Sequence, residues 1–97
     1  MSGARFCLLL TTDGQLAERA RDLCKRRQVA VLAVERIEQL LGVVASVTPT
    51  HLIVDARDHG PLDPDQLLGG HRSKVQVITI DSFDHGLDAF VTLCTER

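Results

Sequence analysis

The chain has no tryptophan and no tyrosine, and only three phenylalanines. Its core must therefore be aliphatic, built from Leu, Val, Ile and Ala. No apolar run approaches the ~18–20 residues that a membrane-spanning helix needs, so no span is expected. Neither sign of charge dominates. Eleven Lys and Arg against 13 Asp and Glu leave a formal net charge of −2, which gives no general drive toward nucleic acid or an anionic membrane. The opening Met1-Ser2-Gly3-Ala4-Arg5-Phe6 carries one basic residue with only a short apolar run behind it, so no signal peptide is expected. Cysteine is scarce and odd in number. Cys7, Cys24 and Cys94 form no framework pattern and point to reduced thiols in a cytoplasmic setting. What is present is an ordinary globular composition, 44% hydrophobic and 25% charged over 97 residues, the size of one domain with a single core.

The apolar residues come in short runs bounded by turn signals. Phe6–Leu10, Val29–Val34, His51–Asp55 and Val75–Ile80 each read as a strand buried on both faces, the signature of a parallel sheet. Between them lie helical patterns. Thr12-Asp13-Gly14-Gln15 fits a capping box with the Thr12 hydroxyl at the N-cap, and Leu16, Ala20, Leu23, Cys24 and Arg27 follow at helical spacing. Within Glu35–Ser46, the residues Ile37, Leu40, Leu41 and Val44 form an amphipathic stripe. Asp63-Pro64-Asp65-Gln66 is a helix start that Gly69-Gly70 soon stops, and Ala56–Pro61 reads as a loop. The last segment, Leu87–Cys94, suits a strand or a helical turn, and a fifth strand over Ala89–Leu93 is the preferred reading.

Strands alternating with helices give an α/β domain with a flavodoxin-like parallel sheet, strand order 2-1-3-4-5. On this reading the helices after strands 4 and 5 are short or missing. That would leave apolar sheet face uncovered beside the first helix, and such patches mark association sites. A partner is therefore expected on that face: a second copy, with twofold symmetry the commonest arrangement, or a neighbouring effector domain.

Chemistry in parallel sheets gathers at the carboxyl ends of the strands. Asp55 ends the third strand and Asp81 the fourth, so the two carboxylates are neighbours in this order. Without an intervening cation one of them should have a raised pKa. Arg57 or Arg72 is placed to supply that charge. A divalent cation such as Mg²⁺ held by Asp13, Asp55 and Asp81 is one reading, because hard cations take oxygen ligands. An Asp55 that serves only the fold is another. His51, His59, His71 and His85 lack metal-ligand spacing, although His59 and His85 both fall near the carboxyl edge. Cys7 reads as buried and inert, whereas Lys25 and Arg26 beside Cys24 would lower the pKa of that thiol. No P-loop, dinucleotide fingerprint or nucleophile elbow is present. A small-molecule-binding flavodoxin-like domain is thus an alternative that no motif supports.

Pro49-Thr50-His51-Leu52-Ile53-Val54-Asp55 resembles the stretch leading to the phospho-accepting aspartate of response-regulator receiver domains. Arg57 and Gly60-Pro61-Leu62-Asp63 resemble the loop that follows, and Gly86-Leu87-Asp88-Ala89-Phe90-Val91-Thr92 resembles the approach to that family's lysine. Asp55-x-Arg57…Leu62-Asp63-x-Asp65-x-Leu67, with Cys24, is similar to the receiver-like N-terminal domain of the eighth family of cyclic-nucleotide phosphodiesterases. The resemblance implies that Asp55 is the phosphoacceptor position. It also implies a Mg²⁺ held by two acids at the end of the first strand, a hydroxyl after the fourth strand, and a lysine. Here those positions carry neutral Thr11 and Thr12, then Asp81 with Ser82 beside it, and Leu93. The implied protein is a pseudo-receiver, a non-catalytic regulatory module that works by protein contact or dimerisation without normal aspartyl phosphorylation. A phosphorylatable receiver using Asp55 and Mg²⁺ is the alternative.

Overall fold

Four parallel strands form the centre of the domain in the order β2-β1-β3-β4. The computed structural model of the protein describes residues 5–60 and 62–95, without the side chains of His59, Pro64 and His71. The leader reading of Met1–Ala4, and Pro61 of the loop resemblance, lie outside the described residues. Along the chain run β1 (Arg5–Leu10), α1 (Gly14–Lys25), β2 (Val29–Val34), α2 (Ile37–Ser46) and β3 (His51–Asp55). Then come α3 (Ala56–His59), α4 (Pro64–Leu68), a 3-10 segment (Gly69–Lys74), β4 (Gln76–Ile80) and α5 (Phe83–Thr95).

The continuous apolar runs are central strands because both of their faces are covered. Successive side chains of a strand point to opposite faces. Cys7 and Leu9 of β1, Ile53 of β3 and Ile80 of β4 join Leu16, Ala20, Cys24, Phe90 and Leu93 under α1 and α5. Leu8 and Leu10, with Leu52 and Val54, join Leu40 and Val44 of α2 and Leu67 and Leu68 of α4 on the other side. Register is fixed through β1: Leu10 stands beside Val34 of β2 and Val54 of β3, which puts Thr11 level with Asp55. Asp55 in turn stands beside Ile80.

Three expectations are corrected. Ala89–Leu93 is not a fifth strand but the middle of a 13-residue helix. Its apolar residues recur at Phe83, Gly86, Leu87, Phe90, Leu93 and Cys94, a helical spacing, and Ser82 caps it by accepting from the His85 N–H at 3.0 Å. Glycine at position 86 lets this helix pack closely, since a Cβ there would come within 2.8 Å of Ile80 Cδ1 and 2.9 Å of Leu16 Cδ1. The helix then covers the sheet face beside α1, so the bare flank expected there does not exist: Phe90 is fully buried and Leu93 nearly so. Burying two such side chains contributes about 1.5–3 kcal/mol each. Finally, Ala56–His59 is one turn of helix rather than loop, because Asp55 caps it.

The sheet stops at β4, so its outer edge has no neighbouring strand among the described residues. No described helix is long and apolar enough to cross a membrane.

Candidate functional site at the carboxyl edge of β1 and β3

The carboxyl ends of β1 and β3 bring Thr11, Asp13, Asp55, Arg57 and Asp58 together. Asp55 is 0% exposed, and four hydrogen bonds hold it. The Thr11 hydroxyl donates to Oδ2 at 2.7 Å. The Arg57 backbone N–H and Nε both donate to Oδ1 at 3.0 Å, and Arg57 Nη2 donates to Oδ2 at 2.8 Å. The two guanidinium bonds form the fork that arginine offers a carboxylate. The local fold makes this possible. Asp55 caps α3, and one turn of helix brings Arg57 back over the strand end.

Arg57 also reaches across to the β1 side, where its Nη2 lies 3.1 Å from Asp13 Oδ2. The other Asp13 oxygen caps α1, accepting from the backbone N–H of Gln15 at 3.0 Å and of Leu16 at 3.1 Å. The cap is therefore Asp13, not Thr12. The Thr12 N–H is taken by Asp58 Oδ2 at 2.7 Å, and the Thr11 hydroxyl accepts from the Asp13 N–H at 3.0 Å. One cation thus joins the last residue of β3 to an acid in the turn that follows the neighbouring β1, and each acid also caps a helix.

The electrostatics follow from this geometry. Burial works against a charged Asp55, but the hydrogen bonds from Arg57 and Thr11 and the arginine's charge outweigh it and hold the carboxyl below its ordinary 3.8. Arg57 is held above its already high value, mainly by its bonds to Asp55. The expected repulsion between Asp55 and Asp81 does not set this site. Of the two arginines placed to relieve it, Arg57 does so, while Arg72 lies 3.5 Å from Asp65 instead.

Of the three acids proposed as cation ligands, the structure brings Asp13 and Asp55 together and leaves Asp81 out. The Asp81 side chain is 82% exposed and pairs with His85 at 3.0 Å. Among the described residues no three His, Cys, Asp or Glu side chains are grouped to hold a metal. These residues do not fit Mg²⁺. The oxygens that would bind it already accept from Arg57, Thr11 and the first turn of α1, and a guanidinium supplies the charge that a cation would bring. Leu93, at the lysine position of the resemblance, is a core residue of α5.

The remaining candidates also find their places. His51 is buried at the start of β3, with Nδ1 2.9 Å from the Thr50 hydroxyl. His85 sits in the first turn of α5, and the side chains of His59 and His71 lie outside the description. A lowered pKa at Cys24 is contradicted: burial, with a hydrogen bond to Cys94, pushes that thiol up to about 12. Lys25 and Arg26 are exposed, and the thiol faces the core. Cys7 is fully buried as expected, and burial raises its pKa too. Beside the cluster, a recess of about 250 Å³ between the ends of β1 and β2 is lined by Thr12, Gly14, Arg21 and Glu35. Asp13 fills the helix end that would otherwise receive a phosphate there.

Sequence reasoning placed Asp13, Asp55 and Arg57 at this edge but missed Asp58 and the donor role of Thr11. The signal for Thr11 was available, since a threonine level with a buried acid on the next strand is a ready partner.

No family model matches the chain, and no curated protein matches it. Two solved structures do, both de novo designed Rossmann fold proteins. One aligns over 97% of this chain and 100% of its own at 18% identity and a TM-score of 0.70. The other has the same coverage and identity with a TM-score of 0.66. At that identity the likeness concerns the fold: a Rossmann- or flavodoxin-like α/β domain with a four-stranded parallel sheet, order 2-1-3-4.

Proposed function

We propose that this domain is a non-catalytic, cytoplasmic regulatory module of the pseudo-receiver type, one that keeps the acid at the end of β3 and does not use it for phosphoryl transfer. The observation that carries the reading is the Arg57 guanidinium spanning Asp55 and Asp13. A phosphoacceptor needs an oxygen free to attack and a cation to neutralise the incoming phosphoryl oxygens. Here both Asp55 oxygens accept hydrogen bonds, the carboxylate is buried, and its cation is internal.

A module of this kind acts by contact with a protein partner, an effector domain or a second copy. The covered face beside α1 is no longer the surface for that contact. The outer edges of β2 and β4 are the surfaces left for it among the described residues, because unpaired strand edges are templates for pairing.

The test is incubation of the full chain with a small-molecule phosphodonor and Mg²⁺, read by intact mass. No acid-labile phosphate is expected on the wild-type protein. A phosphate that appears there and is lost in Asp55→Asn would establish the phosphorylatable receiver instead. Light scattering at high micromolar concentration examines the contact: a species heavier than the monomer is expected if the partner is a second copy.

A further inference from the structure

Two cysteines far apart in sequence end up side by side. The sulfurs of Cys24 and Cys94 lie 3.4 Å apart across a separation of 70 residues. Each is the next-to-last residue of its helix, Cys24 in α1 and Cys94 in α5, and both are free thiols. The two helices pack together on one sheet face. The turn that carries Cys94 is held in place by Arg5, whose guanidinium donates to the Leu93 carbonyl. Cys24 is fully buried, while Cys94 is partly open to solvent.

We propose that Cys24 and Cys94 are a redox modification site, oxidised by a hydroperoxide to an intramolecular disulfide that fastens the end of α5 to the end of α1. This goes beyond the pseudo-receiver reading and does not depend on it. Closing the sulfurs from 3.4 Å to the ~2.05 Å of a disulfide asks for a shift of little more than an ångström at two helix ends. Helix ends are where the backbone yields most readily. A disulfide needs a partner within reach, and this fold supplies it before any oxidation.

Exposure sets the order of events. The accessible Cys94 reacts first, as its thiolate. Its sulfur bonds to one peroxide oxygen, the O–O bond breaks, and the departing hydroxide takes up a proton to become water. The sulfenic acid left on Cys94 faces Cys24. The Cys24 sulfur then attacks the Cys94 sulfur, the S–O bond breaks, and the leaving hydroxide takes the Cys24 proton as a second water. Two thiols and one hydroperoxide, here hydrogen peroxide, give one disulfide and two waters, with two electrons passing from sulfur to oxygen. Exchange with a small dithiol reverses the bond. Cys7 shares the same apolar cluster but is fully buried within β1, so it is the bystander of the three.

The experiment treats the full chain with hydrogen peroxide, blocks remaining thiols with an alkylating agent, and reads intact mass, tryptic peptides and the thermal midpoint. The expected result is a monomer that carries one alkyl group at most, on Cys7, and is otherwise lighter by two hydrogens than the reduced chain. It yields a peptide pair joining Cys24 to Cys94, and dithiothreitol restores its mass. Closing so long a loop should raise the midpoint by about 10–30 °C. Cys7→Ala keeps the bond, and both Cys94→Ser and Cys94→Ala lose it. A Cys7–Cys24 bridge, a dimer joined through Cys94, a sulfinic acid on Cys94 with Cys24 still alkylated, or no reaction at all would each overturn the proposal.

Discussion

Asp55 and Asp81 stand at the carboxyl ends of neighbouring strands and share no other property. Asp55 is the last residue of β3, 0% exposed, with four hydrogen bonds. Asp81 is the first residue after β4, its side chain 82% exposed, with one histidine partner. The difference lies in which residue caps the next helix. Asp55 is itself the cap of α3, so the chain turns at once and carries Arg57 back onto it. After β4 the cap is Ser82. Asp81 is thereby released to solvent, one residue before the turn. A strand end in a parallel sheet is therefore only an address. Whether the acid there is buried and neutralised, or exposed, depends on one or two residues beyond it.

The sharpest way to break this contrast is Arg57→Ala. Asp55 would stay buried with Thr11 as its remaining side-chain donor, and Asp13 would lose its cation. Removing one partner of a buried pair costs several kcal/mol. Because Arg57 is itself 34% exposed, a loss of about 2–4 kcal/mol is expected in urea unfolding, where a value near zero would mean that water serves Asp55 equally well. Thr11→Val comes next. It keeps the shape and removes the donor to Asp55, and a hydrogen bond to a charged group is worth about 1.5–3 kcal/mol, so a loss toward the lower end of that range is expected by the same measurement.

The acid limb of the stability curve follows. Asp55 is held below its ordinary 3.8, so near and below that value the unfolded chain binds more protons than the folded one. Its contribution is complete above the ordinary carboxylate range and is lost as pH falls through the lower, folded value. Unfolding measured at a series of acidic pH values should lose stability in that window for the wild type and lose less of it in Asp55→Asn. The smallest effect is at the other strand end. Asp81→Ala should change stability by no more than about 0.5 kcal/mol, as surface ion pairs do, and a larger loss would mean that the two acids are not so different.

Much of the fold was legible because the periods were clean. Val29–Val34 and His51–Asp55 are strands over the predicted residues, alternation of strands and helices implied a parallel sheet, and the flavodoxin-like order chosen for it holds for its first four strands, 2-1-3-4. The fifth strand failed because Ala89-Phe90-Val91-Thr92-Leu93 is rich in strand-forming types. Only a window widened to Ser82 and Phe83 shows the cap and the helical period. One misassigned element then produced a second error, the bare sheet face, because the missing helix was that element. At the site, the approach of Arg57 to Asp55 could be anticipated from their separation of two residues. The bridge to Asp13 could not, since it depends on the register of β1 against β3 and on a helical turn that the sequence reading took for loop. The nearness of Cys24 and Cys94 had no local signal either, being a consequence of α5 lying against α1.

The central claim is that an arginine of the chain itself holds the buried acid ionised and takes the place that a divalent cation would need. A carbon-13 NMR titration of the Asp55 carboxyl, run with and without millimolar Mg²⁺, tests it most directly. Asp55 should titrate below the ordinary 3.8, rise in Arg57→Lys, where the forked bond is lost, and be indifferent to Mg²⁺. An Asp55 that titrates at or above its ordinary value, or whose signal moves saturably with Mg²⁺, would contradict the account.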